Sequence, residues 1–481
     1  NITHRLMLPA LALSLAATLT PADLRCQAQI DPLAVETTRP SLSWKLRSAA
    51  KDIRQSAYTI LVASAPELLA KDRGDLWDSG RVNSSQTFGI AYAGKPLQSR
   101  SQAWWKVKVW DQNGEASGWS DPARFAVGLL EPTDWHAEWI HGAPIPKPVD
   151  ALSEATWIAP AAEVTPAGVY RYRCMIKSNR TQVAKLHLTA DNTFVLRLGG
   201  KEIARTTDPE GWRTPQSVDL KLDSGDYLLE VEVTNATDGP TGLLSRLEVD
   251  GSASPWTCDG EPVRELGKNG IAPWGKVSQQ KIVTAPAPVF RRQFFINQPL
   301  KRATVYLTAL GIADLELNGK RVTQDLFTPG WTDYHIRTHY RAFDITDRVK
   351  SGANELMATL GQGWFTGYVA WGYQREHYGP QPMVKAQVEL EFENGQRTVI
   401  GTDSSWQVGQ GPVLDEHFLH GEKLDARVRP GGWQPAKVGQ YQTKLEAFPG
   451  MPVQEYQVLK PKTIREAGPG KYILDFGQNL S

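Results

Sequence analysis

The sequence predicts an all-β chain of tandem β-sandwiches, and three observations carry that reading. Short runs of aromatic and β-branched residues alternate with turn formers along most of its length. Glycine (41) and proline (32) are frequent enough to cut 481 residues into many short strands, while long amphipathic helical patterns are scarce. A set of identities also recurs 119 residues apart, which marks a duplicated unit of domain size.

At about 150 residues per domain the length gives roughly three domains. Lys plus Arg (53) balances Asp plus Glu (52), for a net charge of +1. No basic surplus is left to neutralise a phosphate backbone, so nucleic acid is not expected as a partner. Cys26, Cys174 and Cys258 are too few for a disulfide framework. Whether Cys174 and Cys258 pair or remain buried thiols stays open at this level.

Residues 1–20 read as an export signal. His4 and Arg5 precede the uncharged run Leu6 to Thr20, and Ser14-Leu15-Ala16 offers the small residues of a cleavage site. The run is too short for a membrane span, and a buried N-terminal helix is the plain alternative. The chain opens on Asn1 rather than Met, which suggests that its start is missing.

Residues 26–128 predict a small sandwich, with strands at Leu42-Ser43-Trp44, Tyr58 to Val62 and Trp104 to Trp110. Within the last of these, Trp105, Val107 and Val109 face one way and Lys106 and Lys108 the other. Proline-rich stretches at 142–148 and 285–288 read as linkers.

They bracket the first copy of the repeat, at 135–287; the second spans 288–450. Leu188-Thr189-Ala190, Leu196, Leu198, Gly200-Lys201 and Gly211-Trp212 return as Leu307-Thr308-Ala309, Leu315, Leu317, Gly319-Lys320 and Gly330-Trp331. Nine identities fall in 25 positions, where chance gives roughly one or two. Each copy carries a hairpin, at Gly199-Gly200 and at Asn318-Gly319, and two related jelly rolls are the economical reading. Residues 451–481 read as the opening of a further sandwich, too short for its own core.

These residues carry a family likeness. Arg39-Pro40-Ser41-Leu42-Ser43-Trp44, Leu76-Trp77-Asp78-Ser79-Gly80, Thr328-Pro329-Gly330-Trp331-Thr332-Asp333-Tyr334, Gly361-Gln362-Gly363-Trp364 and Asp475-Phe476-Gly477-Gln478-Asn479 resemble the N-terminal part of bacterial α-L-rhamnosidases, glycoside hydrolase family 78. The resemblance implies an exported, periplasmic or extracellular enzyme that hydrolyses terminal α-L-rhamnosyl linkages with inversion. That chemistry uses two carboxyl groups about 6.5–9.5 Å apart. In the family both lie in an (α/α)6 barrel, of which this sequence has no trace, so no catalytic residue is named and this polypeptide alone is expected to be inactive.

The resemblance also implies a fibronectin-like or immunoglobulin-like first domain. The first repeat copy resembles carbohydrate-binding module family 67, a calcium-assisted rhamnose-binding domain, through Thr189-Ala190-Asp191-Asn192-Thr193-Phe194. By that analogy Asp191 and Asn192 bind both sugar and calcium, and Asn235 and Pro240 supply backbone carbonyls to the ion. Calcium takes six to eight oxygens, so hydroxyls of an L-rhamnose-containing glycan complete the shell. The residues by themselves also admit an Asx turn closing a strand. Trp212 is placed against the sugar as an aromatic plate, although its repetition as Trp331 equally suits a core position. The second copy has Leu310-Gly311 in place of the polar pair and is not expected to bind.

Other constellations are weaker. His417 and His420 lack the i, i+4 spacing of a metal helix, and a solvated loop is the preferred reading. The expected function is therefore the ancillary, sugar-binding portion of a rhamnosidase. A self-standing carbohydrate-binding or adhesion protein is the alternative from another class, and a purely structural array is a third. Oligomeric state is left open.

Overall fold

In the computed structural model the described residues are 19–145, 150–277, 285–369, 374–417, 419 and 421–479. Most of the proposed export signal lies outside them. Its last residues do not: Leu19 is buried, and Thr20–Cys26 is a strand paired antiparallel with Ser41–Arg47. The first sandwich thus begins near residue 19 rather than 26. Its second sheet runs Trp77–Asp78, Gln55–Ala63, Gln102–Asp111, Ala123–Ala126. Trp105, Val107 and Val109 are fully buried, as their alternation requires. Lys106 departs from the expected wet face: its Nζ donates to the Leu69 carbonyl at 2.6 Å, pairs with Asp72, and lies over the Trp119 ring. The short helix Pro66–Leu69 supplies that cover.

The described residues fall into two units, Pro146–Val283 and the remainder of the chain. Within the larger unit, Tyr340 Oη accepts a hydrogen bond from the Leu129 amide at 2.8 Å. Arg100 meets both Glu389 (2.8 Å) and Asp134 (2.5 Å). These bonds tie the first sandwich to the second jelly roll. Trp139–His141 also belongs there, pairing with Met383–Phe392 and Lys437–Gly439. The boundary expected at 135 therefore moves beyond this strand, and the first jelly roll is interposed in sequence between strands of its sibling.

That first jelly roll packs two sheets. One runs Gln216–Leu222, Gln182–Asp191, Gly242–Glu248, Thr156–Ala159, Arg264–Lys268. The centre of the other is Thr193–Leu198, Gly225–Asn235, Gly168–Ser178. Leu186, Leu188 and Ala190 face Leu196, Leu229, Val231 and Val233 in the core between them.

The second jelly roll repeats the plan with Leu300–Leu310 in one sheet and Ile312–Leu317, Gly352–Gly361, Pro288–Ile296 in the other. Both hairpins turn through residues at positive φ, Gly199 (57°) and Gly200 (83°), Asn318 (55°) and Gly319 (74°). Residues 463–475 form a separate two-stranded hairpin, Thr463–Gly468 with Lys471–Asp475. Among the described residues the α-helices are two four-residue turns, Pro66–Leu69 and Gly363–Thr366. No described helix is long and apolar enough to cross a membrane.

Candidate functional site

Asp191 and Asn192 stand at a corner. Gln182–Asp191 ends in one sheet and Thr193–Leu198 begins in the other, so the chain crosses the sandwich edge between them. The peptide joining the two residues is cis.

Strand alternation decides where each side chain goes. Leu186, Leu188 and Ala190 point into the core, which sends His187, Thr189 and Asp191 to the outer face of the sheet. That face is not wet. Trp157, Trp212, Trp274 and Leu244 cover it as a satellite cluster, with Trp157 and Trp274 stacked at 4.3 Å. On the other strand Leu229, Val231, Val233 and Asn235 form one inward series, so Asn235 carries the core face out to the sandwich edge.

The carboxylate of Asp191 is held on both sides. Its Oδ2 accepts from Trp274 Nε1 at 2.8 Å and its Oδ1 from Asn192 Nδ2 at 2.8 Å. Asn192 Oδ1 accepts from the Ala236 amide at 2.8 Å, and the Asp191 carbonyl accepts from Thr241 Oγ1. Both ends of the 235–241 loop are thereby fastened to the corner. Asn235 Nδ2 donates to the carbonyls of Thr165 (3.0 Å), Pro166 (3.2 Å) and Gly239 (3.4 Å). Thr165 Oγ1 also donates to Gly239, while Pro240 is exposed between the two anchors.

Burial pushes the Asp191 carboxyl above the usual range; the Trp274 bond opposes this, and the nearby Glu210 carboxylate reinforces it. A carboxylate destabilised by burial and by a like charge gains from a neighbouring cation. Each carboxylate oxygen keeps a lone pair beyond its single N–H partner. Together with the Asn192 amide oxygen and the loop carbonyls, the corner offers an all-oxygen donor set that suits a hard cation.

Of the residues singled out in the sequence, the fold gathers Asp191, Asn192, Asn235 and Pro240 at one edge. Trp212 is different. It is only 9% exposed, sits in the short turn Gly211–Arg213, and has the Arg213 guanidinium over its ring at 4.4 Å. Its carbonyl accepts from Thr189 Oγ1 at 2.9 Å. The ring belongs to the wall behind the carboxylate and offers no open plate.

Sequence reasoning missed Trp274, Thr241, Thr165 and Glu210, because their roles depend on pairings between distant segments. His417 is also corrected: it is buried at the end of strand Val413–His417 and accepts the Tyr368 amide at 2.9 Å, not part of a solvated loop. His420 lies outside the described residues. No group of three or more His, Cys, Asp or Glu that could hold a metal occurs among the described residues. The corner is a different kind of site, with one carboxylate and amide and carbonyl oxygens. The three cysteines are free and buried, and burial pushes the thiols of Cys174 and Cys258 up to about 12.

Two family models match the chain. The α-L-rhamnosidase N-terminal domain matches residues 298–465, and the Rha78A-like N-terminal immunoglobulin domain matches residues 21–131. An α-L-rhamnosidase of Streptomyces avermitilis is 33% identical over 498 residues, covering 93% of this chain. The chain carries the N-terminal domains of the α-L-rhamnosidase family.

An α-L-rhamnosidase of Formosa agariphila is 24% identical over 94% of the chain. The crystal structure of the Streptomyces avermitilis α-L-rhamnosidase complexed with L-rhamnose superposes with a TM-score of 0.68 at 32% identity, over 96% of this chain and 49% of that one. The α-L-rhamnosidase structure from Dictyoglumus thermophilum gives 0.59 at 25% identity, over 96% and 38%. The chain spans 48% and 37% of the length of the two rhamnosidase relatives. The two matched regions correspond to the first sandwich and the second jelly roll. The jelly roll that carries Asp191 lies between them, outside both.

Proposed function

We propose that the chain is the ancillary, sugar-binding portion of an exported, inverting α-L-rhamnosidase that acts on terminal non-reducing α-L-rhamnose. In this reading the hydrolysis belongs to another part of the enzyme. The jelly roll of residues 150–277 holds an L-rhamnose residue of the glycan at the Asp191 corner, beside a calcium ion. The single observation that carries this is the fastening of Asp191, Asn192 and the 235–241 loop into one oxygen-rich edge.

Asp191 and Asn192 would hold the ion through side-chain oxygens, and Asn235 and Pro240 through carbonyls. A bound cation supplies a fixed positive charge on which sugar hydroxyls can rest. Asp191 keeps its charge and direction through Trp274, and Asn235 fixes the loop from inside through Thr165. The kinship with α-L-rhamnosidases, which covers 93% of the chain, supports rhamnose as the sugar.

Isothermal titration of the chain with L-rhamnose, with calcium present and after chelation, tests the proposal. Binding should require calcium, and Asp191→Ala should weaken it at least about tenfold. Equal heats in calcium and in chelator, or an unchanged affinity in Asp191→Ala, would defeat it.

A further inference from the structure

The second jelly roll lacks the oxygen pair, yet it displays an aromatic surface that its sibling does not. Trp331 stands at the repeat position of Trp212. The first copy buries its tryptophan to 9% exposure, whereas Trp331 is 54% exposed. The fold therefore has room to bury an indole at this position, and in the second copy it does not. The Trp331 ring lies 6.5 Å from that of Trp364 at 25°, and Phe327, 41% exposed, meets Trp364 edge-on at 6.0 Å.

The loop beneath these rings is fixed from within. Buried Asp325 accepts from Arg341 at 2.8 Å and from Gln454 at 2.6 Å. The Thr328 carbonyl accepts from the Ala313 amide, and the Leu326 amide donates to Val453, both at 2.8 Å. Phe327 is held at φ 55°, an uncommon conformation for a bulky residue, with its ring outward. Just beyond Trp331 the half-exposed side chains of Asp333 and His335 pair at 3.2 Å, and the His335 ring lies against Tyr378.

We propose that Trp331, Trp364 and Phe327 form a second carbohydrate platform, which seats one pyranose ring of a glycan by its C–H face while Asp333 and His335 meet its hydroxyls. Two stacked indoles with Phe327 edge-on beside them make an aromatic surface whose outward Trp331 ring is open, and a pyranose is apolar on one face and polar around its edge. An apolar protein surface docked here would strip water from the Asp333 carboxylate without replacing it, whereas a sugar hydroxyl replaces it directly. Preorganised rings also lose little freedom on binding. The inference rests on the reading of the chain as the sugar-binding part of a rhamnosidase and extends that role to the copy without the oxygen pair.

Indole N–H spectra of the 15N-tryptophan-labelled chain, titrated with the disaccharide L-rhamnosyl-α-1,6-D-glucose, test it. Trp331→Phe and Trp364→Phe assign the two signals. Both signals should shift in the unmodified chain and in Asp191→Ala. Trp331→Ala or Phe327→Ala should weaken the apparent affinity read at Trp364 at least about tenfold, with the unfolding midpoint unchanged because both rings are exposed.

Unmoved Trp331 and Trp364 signals, while L-rhamnose still binds the first jelly roll, would overturn the platform and leave the module standing. Shifts that follow protein concentration instead of sugar, with a dimer in sedimentation that Trp331→Ala dissolves, would overturn it in favour of self-association. Shifts at Trp331 alongside an L-rhamnose affinity that Asp191→Ala leaves unchanged would support the platform and defeat the module.

Discussion

Trp274 donates its indole N–H to Asp191 Oδ2 at 2.8 Å while its ring stacks on Trp157 at 4.3 Å. The carboxylate is thus aimed by a residue 83 positions away that is itself immobilised by packing. The remaining oxygen is turned toward Asn192. Direction at the corner comes from the tryptophan cluster as much as from the strand.

Trp274→Phe keeps an aromatic ring in the stack and removes the donor. A buried acceptor left without its partner costs about 1–3 kcal/mol. Urea unfolding should show a loss of that size. Calcium affinity should fall with it, because the carboxylate loses the bond that aims it.

Stability against pH follows from Asp191. Its folded pKa is raised, so the folded state holds this proton more tightly than the unfolded chain. The stabilisation is therefore full below the ordinary aspartate value of about 3.9 and is lost as pH rises through the raised folded value. Without calcium, the melting temperature of the unmodified chain minus that of Asp191→Asn should decrease over that interval. With calcium, the difference should increase there, because the cation competes with the proton.

Gly311 occupies in the second jelly roll the corner that Asn192 occupies in the first. It lies at φ +140°, and a Cβ there would fall 2.3 Å from the Gly361 carbonyl oxygen. Gly311→Ala should cost on the order of 3 kcal/mol, against about 1 kcal/mol for Gly199→Ala at an open hairpin position. Denaturant midpoints of the two variants give the comparison.

Tyr340 is buried where the first sandwich meets the second jelly roll, and its hydroxyl takes the Leu129 amide. Tyr340→Phe leaves that amide without an acceptor and should cost about 1–3 kcal/mol. Limited proteolysis should then cut more readily near residues 129–136.

The strands, the repeat and its hairpins were legible because alternation, Asn-Gly and Gly-Gly turns are local signals. Asn318 and Gly319 turn as their types predict. The corner was legible in part: Asp191 and Asn192 stand out as a polar pair where the sibling has Leu310-Gly311. What holds them was not, since Trp274 and Thr241 reach Asp191 only through sheet pairing and packing. Repetition misled at Trp212 and Trp331. Identity at matched positions fixes the strand register nearby, but burial depends on what covers each loop, and one indole is covered while the other is open. Lys106 shows the same limit, because its alternation is right and its wet face is roofed by Trp119 and the helix Pro66–Leu69.

The most direct measurement is a crystal structure of the chain grown with calcium and L-rhamnose. An ion should lie about 2.3–2.6 Å from side-chain oxygens of Asp191 and Asn192 and from carbonyls of the 235–240 loop, with sugar hydroxyls completing its shell. An ion and sugar bound elsewhere, with Asp191 and Asn192 still bonded only to Trp274, Ala236 and each other, would contradict it.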